Sequence, residues 1–119
     1  MRELLRDKER LAHMLQACDT VDAGLRAHPL EEALADPLMY HGLVKQVEII
    51  GEATYKLTHE YRAAHPEVPW KQMEGMRHVL VHDYYNISPS DLVSVVLNDL
   101  PALRPLIQAL YEEELKSNP

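Results

Sequence analysis

Leu43, Val47, Ile50, Thr54, Leu57 and Tyr61 recur at alternating intervals of four and three residues. Side chains at that spacing share one face of a helix, whereas a half-buried strand needs an interval of two. The run therefore predicts a long helix with a heptad-like seam. Pro37 suits its first turn, and it should give out around His65-Pro66, because the residue before a proline disfavours the α region. Leu11, Met14, Cys18, Val21 and Leu25 form a second stripe of the same kind. That stripe predicts an earlier helix ending near Ala27, ahead of His28-Pro29. Residues 28–37 between the two read as a loop with a short helical turn at Leu30 to Leu34.

A third helix is expected from Pro69-Trp70 through Met73, Met76, Leu80 and Val81, with Asn86 and Ser88-Pro89 punctuating its end. A fourth opens with Ser88 as N-cap, Pro89 at the first position and Asp91 in the first turn. It carries Leu92, Val96, Leu100, Leu103, Leu106 and Leu110. Pro101 and Pro105 each remove an internal hydrogen bond, so they should kink this helix or split it in two. Composition agrees with an all-α chain: glycine is scarce at 4, phenylalanine is absent, and good helix formers abound. The expected fold is an antiparallel four-helix bundle. One domain over 1–119 is expected, because no repeat, low-complexity stretch or linker divides the chain.

The net charge of −7 argues against the broad basic surface of a duplex-binding protein, so any nucleic-acid contact must use a local cluster of cations. A lone cysteine, Cys18, excludes an internal disulfide and fits a reducing compartment. No apolar run approaches the roughly 20 residues needed to span a bilayer. The opening MRELLRDKERL is charged throughout, unlike a signal peptide. A cytoplasmic protein without membrane association is expected.

Most charges need serve only to solvate the outside of a bundle; Glu52 and Lys56, four apart, read as such a surface pair. Two places ask for more. His41, Lys45, Glu48, Glu52, Tyr55 and His59 form a polar stripe on the second helix, and within it Glu48 and Glu52 repel one another. Either the stripe is fully solvated, or a cation from another helix bridges the carboxylates, and Arg77 is the candidate. The second place is the cluster Arg77, His78, His82, Asp83, Tyr84 and Tyr85. At about 100° per residue Arg77 and Tyr84 share one face, while Arg77 and His82 diverge by about 140°. To meet on one phosphate, either the helix loosens near His82 or a second copy of the chain supplies half of the site. His78 and His82 could be half of a metal site, but no third ligand and no HExxH glutamate accompany them. Glycine-rich phosphate loops and hydrolase triads have no motif here.

Arg77-x4-His82-x-Tyr84 resembles the motif of the HepT-like branch of the HEPN superfamily. The flanks VEIIGEATYKL, VPWKQMEGMRHVLVHDYYNI and LNDLPALRPLI resemble it too, over roughly residues 40–110. His78 stands where HepT-like members often have asparagine. The resemblance implies a HEPN-like bundle and a metal-independent endoribonuclease toxin, active as a homodimer on RNA without a cofactor. It also implies a cognate minimal nucleotidyltransferase as antitoxin, which transfers AMP to Tyr84. The residue types suit that chemistry. His82 would act as general acid/base near neutral pH. Arg77 would stabilise charge building on the phosphorane, with His78 and Tyr84 in support. A rival reading is a non-catalytic HEPN module that binds a nucleotidyltransferase or a nucleotide. A third is a plain structural dimer domain.

Overall fold

A computed structural model describes residues 2–81 and 89–117, with side chains over 6–76 and 90–116. Among these residues every regular element is helical: α1 (Arg2–Ala27), α2 (Leu30–Ala35), α3 (Pro37–Tyr55), α4 (His59–Ala64), α5 (Trp70–Val81), α6 (Pro89–Ser94), a π-helical turn (Val95–Asp99) and α7 (Leu100–Ser117). α3 packs against both α1 and α5, most extensively against α5, and α1 also packs against α7.

The start of α3 follows from local chemistry. The Asp36 carboxylate accepts from the backbone N–H groups of Leu38 at 2.9 Å and Met39 at 3.4 Å, and Pro37 occupies a position whose N–H would go unused. The end of α3 departs from expectation. The seam reaches Tyr61, yet the helix stops at Tyr55 and α4 begins afresh at His59. Asp7, buried to 1% exposure in α1, accounts for the break: its carboxylate accepts from the Thr58 N–H at 2.9 Å and the Thr58 hydroxyl at 2.7 Å. Thr58 is thereby held in an extended conformation, and its hydroxyl oxygen accepts from the Tyr61 N–H at 3.1 Å, capping α4. Seam residues Leu57 and Tyr61 remain buried across the break, because α4 resumes on the same side.

One continuous core joins Leu11, Met14 and Val21 of α1, Val47 and Ile50 of α3, Met73 of α5, Leu92 of α6 and Ile107 of α7. Each such side chain contributes about 1.5–3 kcal/mol on burial. Thr54, the polar member of the seam, is fully buried and donates its hydroxyl to the Ile50 carbonyl at 2.8 Å. The stripe on the last helix needs one correction. Leu106, expected inside, is 37% exposed, and Ile107 is 1% exposed in its stead. Within α7 the buried residues Leu100, Leu103, Ile107 and Leu110 follow at intervals of three, four and three, so on a regular helix Ile107 lies nearer than Leu106 to the middle of the buried face. At the start of α7 the Leu100 N–H bonds to the Val95 carbonyl five residues back, the wider turn of a π helix. That wider turn directly precedes Pro101, which lacks an N–H and whose ring crowds the preceding turn. α7 itself keeps helical backbone through Pro105. Ser88, the expected N-cap, and Asn86 lie outside the described residues. Among the described residues no helix is long and apolar enough to cross a membrane.

Candidate functional site

α5 is seated by its first residues. The Met73 N–H makes the first helical bond, to the Pro69 carbonyl, at 3.1 Å. Trp70 is buried, and its indole N–H donates to the His65 carbonyl at 2.8 Å, locking the helix start onto the end of α4. Trp70, Met73 and Met76 enter the core.

Position 77 follows Trp70 by seven residues and Met73 by four, so it lies on the same side of the helix axis. Position 78 follows Lys71 by seven and Glu74 by four and lies on theirs. The backbone is α-helical through Val81. His82, Asp83, Tyr84 and Tyr85 lie outside the described residues, as do the side chains of Arg77 and His78.

The acidic stripe of α3 is partly answered within its own helix. Lys45 lies 3.9 Å from the part-buried Glu48, and Lys56 lies 3.8 Å from Glu52, each across one turn. The Glu52–Lys56 pair, with both side chains about half exposed, is the surface pair expected. Arg77, the candidate cation for bridging the two glutamates, has its side chain outside the described residues.

Among the described residues, two openings lie beside the packed helices. The first, about 990 Å³, lies where the end of α3, α4 and the start of α5 meet. Its floor is Val68 and Trp70, and its rim carries Tyr55, His59 and Lys71. Arg62 on its wall donates to the Glu74 carboxylate at 2.9 Å, a pair whose side chains are only 18% and 28% exposed. Tyr55 and His59 belong to the polar stripe legible in the sequence. Arg62, Lys71 and Glu74 carry no such signal, since no spacing within one helix links them; the Arg62–Glu74 pair forms across the break between α4 and α5.

The second opening, a groove of about 900 Å³ between α1 and the π turn with α7, is lined by Val21, Leu25, Val96, Leu97 and Leu100. Arg104 spans it, donating to both Asp19 carboxylate oxygens at 2.8 and 3.3 Å. This hydrogen bond holds the Asp19 carboxyl below the usual carboxylate range. Cys18 lies beside it, and burial pushes its thiol up to about 11, against the opposing pull of Arg104. A buried, protonated thiol of this kind is a poor nucleophile. Among the described residues no three His, Cys, Asp or Glu side chains gather as a metal site requires.

Comparison with known proteins bears on the chain as a whole. The family model described as HepT-like, "Ribonuclease HepT-like", matches residues 14–110. A protein of Caldanaerobacter subterraneus subsp. tengcongensis named "Putative RNase" is 32% identical over 104 residues, covering 87% of this chain and 93% of its own. One from Thermococcus cleftensis named "Probable ribonuclease HepT" is 29% identical over 103 residues, covering 87% and 94%. A third, from Methanocaldococcus jannaschii and named "Putative RNase", is 28% identical over 101 residues, covering 85% and 93%. No solved structure matches the chain.

Proposed function

The chain belongs to the HepT-like ribonuclease family, and from that premise we propose that it is a metal-independent endoribonuclease, the toxin of a type VII-like toxin–antitoxin pair. The observation that carries the reading is that the family match over residues 14–110 encloses the whole motif Arg77-x4-His82-x-Tyr84. The helical packing of α1, α3, α5 and α7 supports the accompanying fold reading of a single HEPN-like domain, an antiparallel four-helix bundle, and a last helix kinked or split at Pro101 and Pro105 remains part of the proposal.

In this reading His82 moves the proton, taking it from the attacking 2′-hydroxyl or giving it to the departing 5′-oxygen as the phosphodiester is cut. Arg77 offers its planar fork to the phosphate oxygens, where negative charge builds in the transition state. His78 and Tyr84 support that phosphate. With α5 regular through Val81, Arg77 and His82 are most simply brought to one phosphate by a homodimer, each copy supplying half of the arrangement. A cognate minimal nucleotidyltransferase would silence the toxin by placing AMP on the Tyr84 hydroxyl, where bulk and negative charge repel the RNA backbone.

The test is cleavage of RNA by the purified chain. Arg77→Ala and His82→Ala should each slow it by about a hundredfold or more, the scale of a lost acid/base group or charge stabiliser. EDTA should leave the wild-type rate unchanged; loss restored by a divalent ion would overturn metal independence. Incubation with the proposed cognate nucleotidyltransferase and ATP should add AMP to the wild type but not to Tyr84→Phe. A tight complex with that enzyme, without cleavage of RNA, would favour the non-catalytic module instead.

A further inference from the structure

The chain is strongly acidic overall, yet the cavity beside α4 and α5 carries two fixed cations, Arg62 and Lys71, against one carboxylate, Glu74. Arg62 is tied to Glu74 at 2.9 Å, so these two charges balance each other. Lys71, on the exposed rim, has no carboxylate partner among the described residues. The groove between α1 and α7 is the reverse, with Asp19, Asp22 and Glu112 outnumbering Arg26 and Arg104. By the charges that line them, the first opening is therefore the more favourable of the two for a polyanion.

We infer that the cavity is a subsite for one nucleotide of single-stranded RNA, with its base on the Tyr55 ring and its phosphate on Lys71 and His59. Tyr55 is 50% exposed, so its ring offers solvent-facing surface to a flat, apolar partner. Every base has such a face, which makes aromatic stacking tolerant of sequence. The buried Val68 and Trp70 below give the base an apolar floor. The ammonium of Lys71 and the imidazole of His59 stand on the same rim as Tyr55, where the attached phosphate would lie.

The inference rests on the ribonuclease reading, and the position of the cavity deepens that reading. Lys71 precedes Arg77 by six residues, about 9 Å along the helix axis. Helix register continues the side that carries Lys71 and Glu74 to position 78, beside the motif arginine. In the inferred mode, a strand whose nucleotide occupies the cavity continues along α5 toward the motif.

The experiment uses the full chain with His82→Ala, so that the probe survives, and a fluorescent single-stranded RNA of about 15 nucleotides, near the upper site size of single-strand binders. Anisotropy is read across a salt series. Adding Tyr55→Ala should weaken binding about tenfold, and Tyr55→Phe, which keeps the ring, should restore it. Adding Lys71→Gln should weaken binding and lower the slope of log affinity against log salt by about 0.7, the value for one lost phosphate contact on a single strand. Circular dichroism identifies any variant that fails to fold, and the salt slope is not moved by a merely structural role. Unchanged affinity and slope in both variants overturn the inference and leave Arg77 and His82 as the cleaving pair. A Tyr55→Ala effect on binding of AMP, with none on the RNA, makes the cavity a mononucleotide site and also overturns it. If the His82→Ala chain binds no RNA and the unsubstituted chain cuts none, the ribonuclease reading fails and the subsite fails with it.

Discussion

The groove between α1 and α7 and the cavity beside α4 and α5 are close in volume, about 900 and 990 Å³, but different forces hold their walls together. The groove opens directly onto the core: Val96 and Leu100, which line it, are 5% and 4% exposed. Its ion pair, Arg104–Asp19, is laid across the outside with side chains 41% and 58% exposed. The cavity instead depends on polar fastenings between short elements, the half-shielded Arg62–Glu74 pair and the indole bond to the His65 carbonyl. Its apolar residues are a floor, while its rim faces water with an aromatic ring and cations. The difference separates an opening left by packing from one whose exposed groups suit a ligand. It also shows that a net charge of −7 says little about any one face.

Substitutions distinguish the two openings. The largest effect is expected from Leu100→Ala, which removes a core side chain from the groove and should cost about 2–5 kcal/mol in urea unfolding. Tyr55→Ala at the rim of the cavity should stay within about 0.5 kcal/mol, as exposed substitutions usually do. Equal losses would erase the distinction between the two walls. Next in size are the ion pairs. Arg62→Ala should cost about 1–2 kcal/mol, because it strands a partly shielded carboxylate, and Arg104→Ala less than about 1 kcal/mol, as exposed pairs do. The reverse order in the same unfolding measurement would refute the claim that the cavity relies more on its charges.

The smallest effects concern pH at the groove. Burial raises the Cys18 thiol from 9.0 to about 11, so its contribution is intact below the unfolded value and is lost as pH rises from 9.0 to about 11. Cys18→Ala should lack that alkaline loss when urea midpoints are compared. Native Cys18 should also react slowly with iodoacetamide at neutral pH; rapid labelling would contradict its burial. At the acid end the sign is opposite. The lowered Asp19 carboxyl contributes above the ordinary carboxylate range, and that contribution fades as pH falls through the lowered value.

Much of this architecture is legible in the residues. The three-and-four spacing names Leu11, Met14, Val21, Leu43, Val47 and Ile50 as interior, and all of them are buried. Pro37 and Trp70 mark helix starts, because a proline at the first turn and an N-terminal punctuation act locally. The end of α3 is not legible. Nothing near Tyr55 stops a helix as a proline does; the stop is a carboxylate from Asp7, 51 residues away in sequence. Leu106 is a different case: Ile107, four residues after Leu103 and three before Leu110, fits the buried face of a regular helix better. Of the candidate site, the motif reads directly as letters. The pairing of Arg62 with Glu74 and the placing of Tyr55 and Lys71 at one opening join separate elements, and no single-helix spacing encodes them.

By itself the sequence determined that the chain is helical, which side of each helix turns inward, and where the arginine, histidine and tyrosine of the motif sit relative to one another along the chain. Those properties depend on neighbours within about one or two turns, the range over which helix geometry holds. Tertiary structure alone decided that α3 stops where Asp7 reaches Thr58. It alone decided that an acidic chain gathers cations and a half-exposed tyrosine ring around one cavity on the helix that carries the motif. Side chains far apart in sequence interact only after packing brings their helices together, because Coulomb and hydrogen-bonding forces act through space and over short distances.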